Sequence, residues 1–239
     1  MNLLVKETGG RPIVVHGHGN HDLKPVFDAI RSRLSEIDPV AAGPSPDLTV
    51  ITCNNGHPSL GLFEETADRL GVTVTVAGKG RSEWSNAVDK PLAIREVLET
   101  VDTEFTLYAD SRDCLLLRDP VAALESFRSN YSSRQLVFGA DIVNWPPVRE
   151  FQRYEKGLAG PDAGRYRFLN GGCWLGRTAF CKTFFEHAMR IEPAQEAPDS
   201  EQGLLKAILP SYPEEVTLDY GTHLFFNCGF VAGDIIEIE

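Results

Sequence analysis

The stretch FTLYADSRD, residues 105–113, decides the fold that we expect for this chain. Five strand-forming residues lead directly into Asp110, and Asp113 follows three positions later. A short apolar run of this kind is typical of a strand that is buried on both faces of a parallel sheet. Ligands bind at the carboxyl ends of such strands, which is where these two carboxylates lie.

Strand-like and helical segments alternate on both sides of this stretch. The runs DLTVITC, GVTVTVA and RQLVFGAD predict buried strands, and LGLFEETADRLG, DKPLAIREVLETV and DPVAALESFRSN carry apolar residues at helical spacing. Their alternation through residues 47–140 predicts an α/β fold with a parallel sheet and helices on both faces. Further strands are predicted at RPIVVHG, CWLGR, EVTLDY and HLFF, and a further helix at LKPVFDAIRSRL.

The composition narrows the class of protein. A chain of 239 residues with a net charge of −11 and scattered acidic residues is a poor partner for nucleic acid or an anionic membrane surface. It contains no apolar run near the roughly 20 residues of a membrane span. Five cysteines without a CxxC spacing predict reduced thiols. Since the first residues also lack the pattern of a signal peptide, we expect a cytoplasmic protein. The length of the chain favours a single domain.

Asp110 and Asp113 are candidate metal ligands. Two hard oxygen ligands at a strand end suit Mg²⁺ or Mn²⁺ when substrate phosphates complete the coordination. The metal would then stabilise the charge that develops on a phosphate leaving group. The alternative is that Asp110 caps a turn while Asp113 is solvated, and the spacing alone does not decide between the two.

Four segments together resemble a known family. EWSNAVDKPLAIREVLETVDTEFTLYADSRD, RFLNGGCWLG, DSEQGLL and LDYGTHLFFN occur in the order found in the glycosyltransferase domain of the procollagen lysyl hydroxylases, over residues 47–230. The resemblance implies a GT-A-type, Rossmann-like fold with a mixed, mainly parallel sheet. It also implies a UDP-sugar donor, UDP-glucose or UDP-galactose, and Mn²⁺ or Mg²⁺ bound by Asp110 and Asp113.

The histidine-rich segment RPIVVHGHGNHDLKP resembles the strand that closes the domain in that family, but here it stands near the start. NLLVKET and DIIEIE resemble two halves of one continuous segment at the two ends of this chain. We therefore predict a circular permutation, which is tolerated where the original ends lie close together. Residues 1–38 would be the family's C-terminal part, residues 39–47 (PVAAGPSPD) a new linker, and residues 48–239 the nucleotide-sugar-binding and acceptor region. The two ends should then pair as antiparallel strands, and residues 13–16 should lie inside the main sheet.

The same resemblance implies that His16 is the third metal ligand. Asn54 and Asn55 follow the strand LTVI, where they would bond the base or ribose, although an ordinary turn explains them equally well. A lysine at the start of a helix opposes the helix dipole, so Lys90 is assigned to the diphosphate. The resemblance adds further donor-binding residues, which are Trp84, Ser111, His18, Gly19 and Lys24.

The sugar and acceptor pocket is expected from later positions. Trp145 follows the strand QLVFGAD, while Asn170 and Gly171 match part of a polar segment of the family, and these three are the candidate substrate-binding residues. The candidate catalytic carboxylates are Asp141, Asp199 and Glu201. One of them would act as a base, or would stabilise an oxocarbenium-like transition state. The acceptor stays open between a small molecule, a glycan and a protein.

Two other functions are compatible with the sequence. One is a nucleotide-sugar-binding protein that has lost transfer activity. The other is a metal-dependent phosphoesterase built on the cluster HGHGNHD, residues 16–22, which resembles motifs of calcineurin-like phosphoesterases and metallo-β-lactamases. Both of those families need aspartates that this chain lacks at the corresponding positions. The histidines would also be ordinary loop residues if no metal binds.

Overall fold

The computed structural model describes residues 1–18, 24–43, 45–160 and 163–238. The strands are β1 (Leu3–Val5), β2 (Val14–His16), β3 (Leu48–Cys53), β4 (Val74–Ala77), β5 (Phe105–Ala109), β6 (Cys114–Leu116), β7 (Leu136–Asp141), β8 (Phe168–Arg177), β9 (Val216–Asp219), β10 (Phe225–Asn227) and β11 (Ile236–Ile238). The helices are α1 (Pro25–Glu36), α2 (Leu62–Arg69), α3 (Asp89–Glu99), α4 (Val121–Asn130), α5 (Arg149–Ala159), α6 (Thr178–Ala188) and α7 (Glu201–Ile208), and a 3₁₀ turn follows at Leu209–Ser211.

The main sheet has six strands in the order β4-β3-β5-β8-β7-β9. The pairs β4–β3, β3–β5 and β7–β9 are parallel, whereas β8 is antiparallel to both of its neighbours. Alternate residues of β5 belong to different apolar clusters. Tyr108 is grouped with buried residues of α3, α6 and α7, and Leu107 with those of α2 and α4. Because helices cover both faces, the predicted α/β architecture is confirmed at this level.

A second sheet has three strands in the order β10-β2-β6, with β2 in the middle. The strand is buried on both faces, since Val14 and Val15 belong to different apolar clusters. The expectation that residues 13–16 lie inside the main sheet is wrong. Both edges of β5 are already occupied by β3 and β8, so β2 pairs instead with β6, the strand that follows the turn after β5.

The two ends of the chain pair with each other. β1 runs antiparallel to β11, with Leu3 opposite Ile238 and Val5 opposite Ile236. This pairing confirms the expected contact between the terminal segments, although Glu239 lies outside the described residues. It is an arrangement that a circular permutation requires, and the permutation itself stays a prediction.

In its described residues, the segment 39–47 between α1 and β3 contains no helix or strand, as its composition predicts. Val40 within it is 83% exposed. Hydrogen bonds attach the segment to the rest of the protein from Ala42 N–H to the Leu70 carbonyl (2.8 Å) and from Gly43 N–H to Asp119 Oδ2 (3.1 Å). At its end, Asp47 accepts from Phe105 N–H (2.8 Å) and from Arg128 (2.9 Å). Pro44 lies outside the described residues.

Helices α5, α6 and α7 were not among the predicted elements. Helix α5 carries Phe151, Tyr154 and Leu158 at helical spacing, a short stripe that the sequence interpretation missed among the charged residues. Tyr154 and Leu158 pack only partly buried against the core, and Glu155 is the one fully buried residue of the helix. Helix α6 begins directly after β8, and no turn residue separates the two. Helix α7 is short and contains Gly203, a poor helix former, which weakens its helical pattern.

The prediction of reduced thiols is confirmed, because all five cysteines are free and buried. Within the described ranges, every helix is too short or too polar to serve as a transmembrane segment.

Leu3→Ala should destabilise the protein although Leu3 is close to the start of the chain. Leu3 is 1% exposed and belongs to the larger apolar cluster, so the lost side chain should cost about 2–5 kcal/mol of unfolding free energy. Leu4 on the same strand is only half-buried, so Leu4→Ala should cost less than about 1 kcal/mol. Urea unfolding followed by circular dichroism measures both values. Equal costs would contradict the packing of β1 into the core.

Candidate functional site

Two cavities open at the carboxyl ends of the central strands and share a wall. The smaller one, of about 290 Å³, lies beside the end of β3, and the larger one, of about 700 Å³, lies beside the end of β7. Asp110 and Asp113 line both cavities, together with Asn86 and Lys90. The two carboxylates therefore stand at the junction of the cavities.

The junction holds a candidate metal site. One ligand atom from each of His16, Asp110 and Asp113 lies within 4.8 Å of the other two, which confirms the expected proximity. The turn between β5 and β6 presents both carboxylates, and the pairing of β2 with β6 brings His16 beside them. One imidazole and two carboxylates, open to a cavity, fit a small divalent cation that keeps positions for substrate oxygens.

Asn227, at the end of β10, orients the imidazole of His16. The Asn227 amide Nδ2 donates to the Ala140 carbonyl (2.8 Å), so its Oδ1 is left to accept a hydrogen bond from His16 Nδ1 (2.8 Å). Nε2 of the ring then faces Asp113 Oδ1 at 3.3 Å. A partner of this kind fixes which nitrogen is presented to a metal. The sequence interpretation gave Asn227 no role, although the segment LDYGTHLFFN ends on it.

The turn before β10 depends on Asp219 of the same segment. Its carboxylate accepts hydrogen bonds from the backbone N–H groups of His223, Leu224 and Phe225 (2.7–2.9 Å) and from the Tyr131 hydroxyl. These bonds close the turn that leads into β10, and they thereby position Asn227.

Gly172 leaves room for the His16 ring. A Cβ atom at this position would lie 2.4 Å from His16 Cε1, so any larger residue would displace the imidazole. The Gly172 carbonyl also accepts the N–H of Asp110 at 2.8 Å, which fixes the start of the metal-binding turn. The predicted substrate residue Gly171 lies beside Glu201, and its N–H donates to Gln202 Oε1 at 3.0 Å.

Without a metal, His16 and Asp113 form an ion pair. Burial opposes a charge on His16, but the negative charge of Asp113, with a contribution from Asp110, raises the pKa of the imidazole to about 10. Burial likewise opposes ionisation of Asp113, but the His16 imidazolium lowers the pKa of that carboxyl to about 2. A metal that binds Nε2 must therefore displace a proton.

Lys90 links the metal site to Glu201. Its Nζ lies 2.8 Å from Asp110 Oδ1 and 3.2 Å from Glu201 Oε2, and the Tyr108 hydroxyl donates to the same Asp110 oxygen. Burial alone would lower the pKa of Lys90, but the two carboxylates raise it, so the side chain stays charged. Lys90 therefore lies beside the candidate metal site, and its assignment to the diphosphate stays a prediction.

Glu201, the first residue of α7, lines the larger cavity and is 4% exposed. Burial raises the pKa of its carboxyl to about 7, against the opposing effect of Lys90. Its second oxygen, Oε1, is buried without a hydrogen-bond partner among the described residues. A carboxyl that titrates near neutral pH and retains an uncommitted oxygen is suited to proton transfer.

Asp141, by contrast, has its oxygens committed to the cavity wall. Oδ2 lies 3.1 Å from His18 Nε2 and accepts from Asn170 Nδ2 at 2.9 Å, while Oδ1 accepts the N–H of Val143 at 3.0 Å. Asp141, His18 and Asn170 all line the larger cavity. The arrangement gives Asp141 a role in holding this wall together.

Asp199 joins two loops beside the junction. Its carboxylate accepts from the Ser85 hydroxyl (2.6 Å) and from the N–H of Ala87 (3.3 Å), both in the loop before α3. Although Asp199 lines the larger cavity, it is exposed and engaged in these bonds. Of the three candidate catalytic carboxylates, Glu201 is therefore the one with the chemistry of a base.

The smaller cavity is lined by Asn55, Trp84 and Ser111 among the predicted donor-binding residues. Trp84 is half-buried, and its ring covers Gly78, where a Cβ atom would come within 2.9 Å. Asn54 does not line either cavity, because its amide donates to Glu64 at 2.8 Å. Because Asn54 and Asn55 are adjacent and of the same type, the sequence alone did not show which of the two amides faces the cavity.

Three of the predicted site residues remain, which are Lys24, Gly19 and Trp145. Lys24, just before α1, lines neither cavity, but its positive charge helps to lower the pKa of Asp113. Gly19 lies outside the described residues, as does the rest of the histidine cluster at positions 20–22. Trp145 lines the larger cavity and is 56% exposed.

In a second possible ligand set, one ligand atom from each of His16, Cys114 and Cys173 also lies within 4.8 Å of the other two. Both thiols are fully buried and line neither cavity. Burial raises the pKa of Cys114 well above its usual value, so the thiolate that a metal requires is disfavoured. The set containing Asp110 and Asp113 is better suited to a metal that meets a substrate.

No protein-family model matches the chain, and no curated protein does. Among solved structures, it is similar to the protein described as "Crystal Structure of A197 from STIV", with 12% sequence identity and a TM-score of 0.41. The similarity covers 72% of this chain and 80% of that one. A similarity this distant does not bear on function.

The affinity for Mn²⁺ should rise with pH. Since His16 carries a proton up to its pKa of about 10 in the metal-free protein, binding releases that proton, and affinity should increase by up to about tenfold per pH unit below that value. Calorimetric titration in buffers of different ionisation enthalpy counts the released protons. His16→Asn should remove this pH dependence, and binding without proton release by the wild type would contradict the ligand assignment.

Proposed function

We propose that the protein is a metal-dependent glycosyltransferase that uses a nucleotide diphosphate sugar, with UDP-glucose or UDP-galactose as the expected donor. The observation that carries the proposal is that Asp110 and Asp113 line both cavities. A nucleotide sugar consists of two different groups joined by a diphosphate. Carboxylates at the junction of two cavities are suited to hold a cation on that diphosphate, with the nucleoside on one side and the sugar on the other.

The smaller cavity suits the nucleoside. Trp84 offers a ring face for stacking on a base, and the amide of Asn55 offers hydrogen bonds for a base or ribose. The choice of uracil rests on the resemblance to the lysyl hydroxylase glycosyltransferase domain.

The divalent cation would be held by His16, Asp110 and Asp113. When bound, Mn²⁺ or Mg²⁺ would neutralise the diphosphate and stabilise the charge on the leaving group. A neutral imidazole and two carboxylates carry two negative charges, and a bound divalent cation would balance both, so that the loaded site would no longer repel an anionic substrate. This matters in a protein whose net charge is −11.

The residues around the junction supply the rest of the chemistry. In the transfer, the oxygen of an acceptor hydroxyl bonds to the anomeric carbon. The bond from that carbon to the phosphate oxygen breaks, and its electron pair leaves with the nucleoside diphosphate. Lys90 is placed to balance the departing charge, and Glu201 to receive the hydroxyl proton or to stabilise positive charge on the sugar.

The phosphoesterase alternative has less support. It requires a metal centre built from residues 16–22, but among the described histidines of this segment His16 faces Asp113 and His18 faces Asp141. A nucleotide-sugar-binding protein without transfer activity remains distinguishable by experiment.

UDP should stabilise the wild-type protein only together with Mn²⁺. At a hundredfold excess over the dissociation constant, binding adds about 2.7 kcal/mol to the free energy of unfolding. A thermal-shift panel of UDP, GDP and ADP, each with and without Mn²⁺, measures this effect. Asp113→Asn should lose it, whereas Asp102→Asn, at an exposed position, should keep it. Equal stabilisation of both variants would exclude the metal site.

Glu201→Gln should separate binding from turnover. Loss of the base should reduce transfer and donor hydrolysis by about 10²- to 10⁴-fold, while binding of UDP with Mn²⁺ persists. The matched variant Asp199→Asn removes a carboxylate that accepts hydrogen bonds from a loop, and it should reduce turnover by less than about tenfold. Release of UDP from the donor measures both. If even the wild type binds UDP with Mn²⁺ but releases none from the donor, the function is binding alone.

A further inference from the structure

Exposed aromatic side chains line the larger cavity beyond Glu201. Five large apolar side chains are exposed among the described residues, and two of them, Trp145 (56%) and Phe230 (51%), line this cavity. Large rings left in water forgo the stabilisation that burial would give them. Their position in one cavity therefore indicates a surface that a ligand covers.

The loop that carries Trp145 is hydrogen-bonded to helix α7. The Trp145 carbonyl accepts a hydrogen bond from Gln202 Nε2. The neighbouring Asn144 accepts one from Lys206 Nζ (2.9 Å) and donates one to the Val148 carbonyl (3.3 Å). Helix α7 thus holds this loop through the carbonyl of Trp145 and the side chain of Asn144.

Lys206 is itself fixed by a buried ion pair. Its ammonium lies 3.0 Å from Glu155 Oε2, and the two side chains are 0% and 1% exposed. Glu155 Oε1 also accepts the N–H of Leu169, at the start of β8. Such a pair adds little to the stability of the fold, because its attraction is offset by the cost of desolvating both charges. By fixing Lys206, the pair holds the loop of Asn144 and Trp145 in one conformation before a ligand binds, which lowers the entropy cost of binding.

The ring of Phe230 is also supported by the cavity wall. Phe230 packs edge-on against His18, with ring centroids 5.0 Å apart, and His18 is paired with Asp141. Trp145 and Phe230 are therefore supported by different parts of the cavity wall.

The charge of the cavity restricts the ligand. Its lining contains five carboxylates and three basic side chains, which are Asp110, Asp113, Asp141, Asp199 and Glu201 against His16, His18 and Lys90. An anionic acceptor would meet repulsion at this surface. The uncommitted oxygen of Glu201, which can accept a hydrogen bond from a hydroxyl, and rings that stack on apolar C–H faces are together complementary to a neutral sugar.

We propose that the acceptor is a neutral saccharide whose ring stacks on Trp145 and Phe230 and whose reacting hydroxyl is directed to Glu201. The inference rests on the proposed transferase function and names its second substrate. The hydroxyl oxygen of this saccharide forms the new bond to the anomeric carbon of the donor. Its proton passes to Glu201, and the nucleoside diphosphate leaves with the electron pair of the broken bond.

Binding tests the acceptor independently of turnover. A panel of neutral pyranosides and disaccharides, a uronic acid disaccharide and a lysine-rich peptide is added to the protein with UDP and Mn²⁺, and saturation-transfer NMR detects binding. Only the neutral sugars should bind. Trp145→Ala and Phe230→Ala should each weaken this binding by about tenfold while leaving the affinity for UDP with Mn²⁺ unchanged. Val88→Ala, at an apolar residue that is 60% exposed outside the cavity, is the matched control and should change neither.

The outcomes separate the two proposals. If UDP with Mn²⁺ binds but no neutral sugar does, or if Trp145→Ala and Phe230→Ala bind sugars as well as the wild type, the acceptor assignment is overturned and the transferase function stands. Binding of the peptide in place of the sugars overturns it as well. If UDP with Mn²⁺ does not bind while sugar binding depends on Trp145, the saccharide site stands and the transferase function fails. Transfer assays with UDP-glucose and UDP-galactose should give products with the sugars that bind, at a raised KM in the two ring variants.

Discussion

The position of strand β2 between β6 and β10 is the constraint on which the site depends. In this register His16 lies opposite Cys114 on one side and Asn227 on the other. Cys114 directly follows Asp113, so the pairing sets the imidazole beside the metal-binding turn. Because β2 is buried on both faces, a shift by one residue would move His16 out of the site and bury the wrong side chains.

The charged side chains of the site are paired before any ligand binds. His16 is paired with Asp113, and Lys90 is paired with Asp110 and Glu201. This pairing gives each buried charge a partner, and an unpaired one would cost several kcal/mol. Exchange of the His16 proton for a divalent cation would add one positive charge at the junction of the cavities. Such an exchange is how an acidic protein can accept an anionic nucleotide in the proposed function.

Helix α7 connects the parts of the larger cavity. Its first residue is Glu201, and the next, Gln202, contacts both Gly171 of β8 and the carbonyl of Trp145. One turn later Lys206 fixes Asn144. One short helix therefore positions the proposed base, strand β8 beside the metal site and the loop of Trp145. Most of its residues are buried.

The sequence by itself determined the α/β architecture, the buried strands and the carboxylates at the end of β5, because these follow from local patterns of apolar and polar residues. The paired ends were also predicted, from the resemblance of their segments to one continuous strand pair. Only the tertiary structure decided that β2 lies in a separate sheet, that Asn227 orients His16, and that Glu201 rather than Asp199 has an uncommitted oxygen. Those properties depend on burial and on partners distant in the chain, and such partners leave no periodic signal in the residues around them.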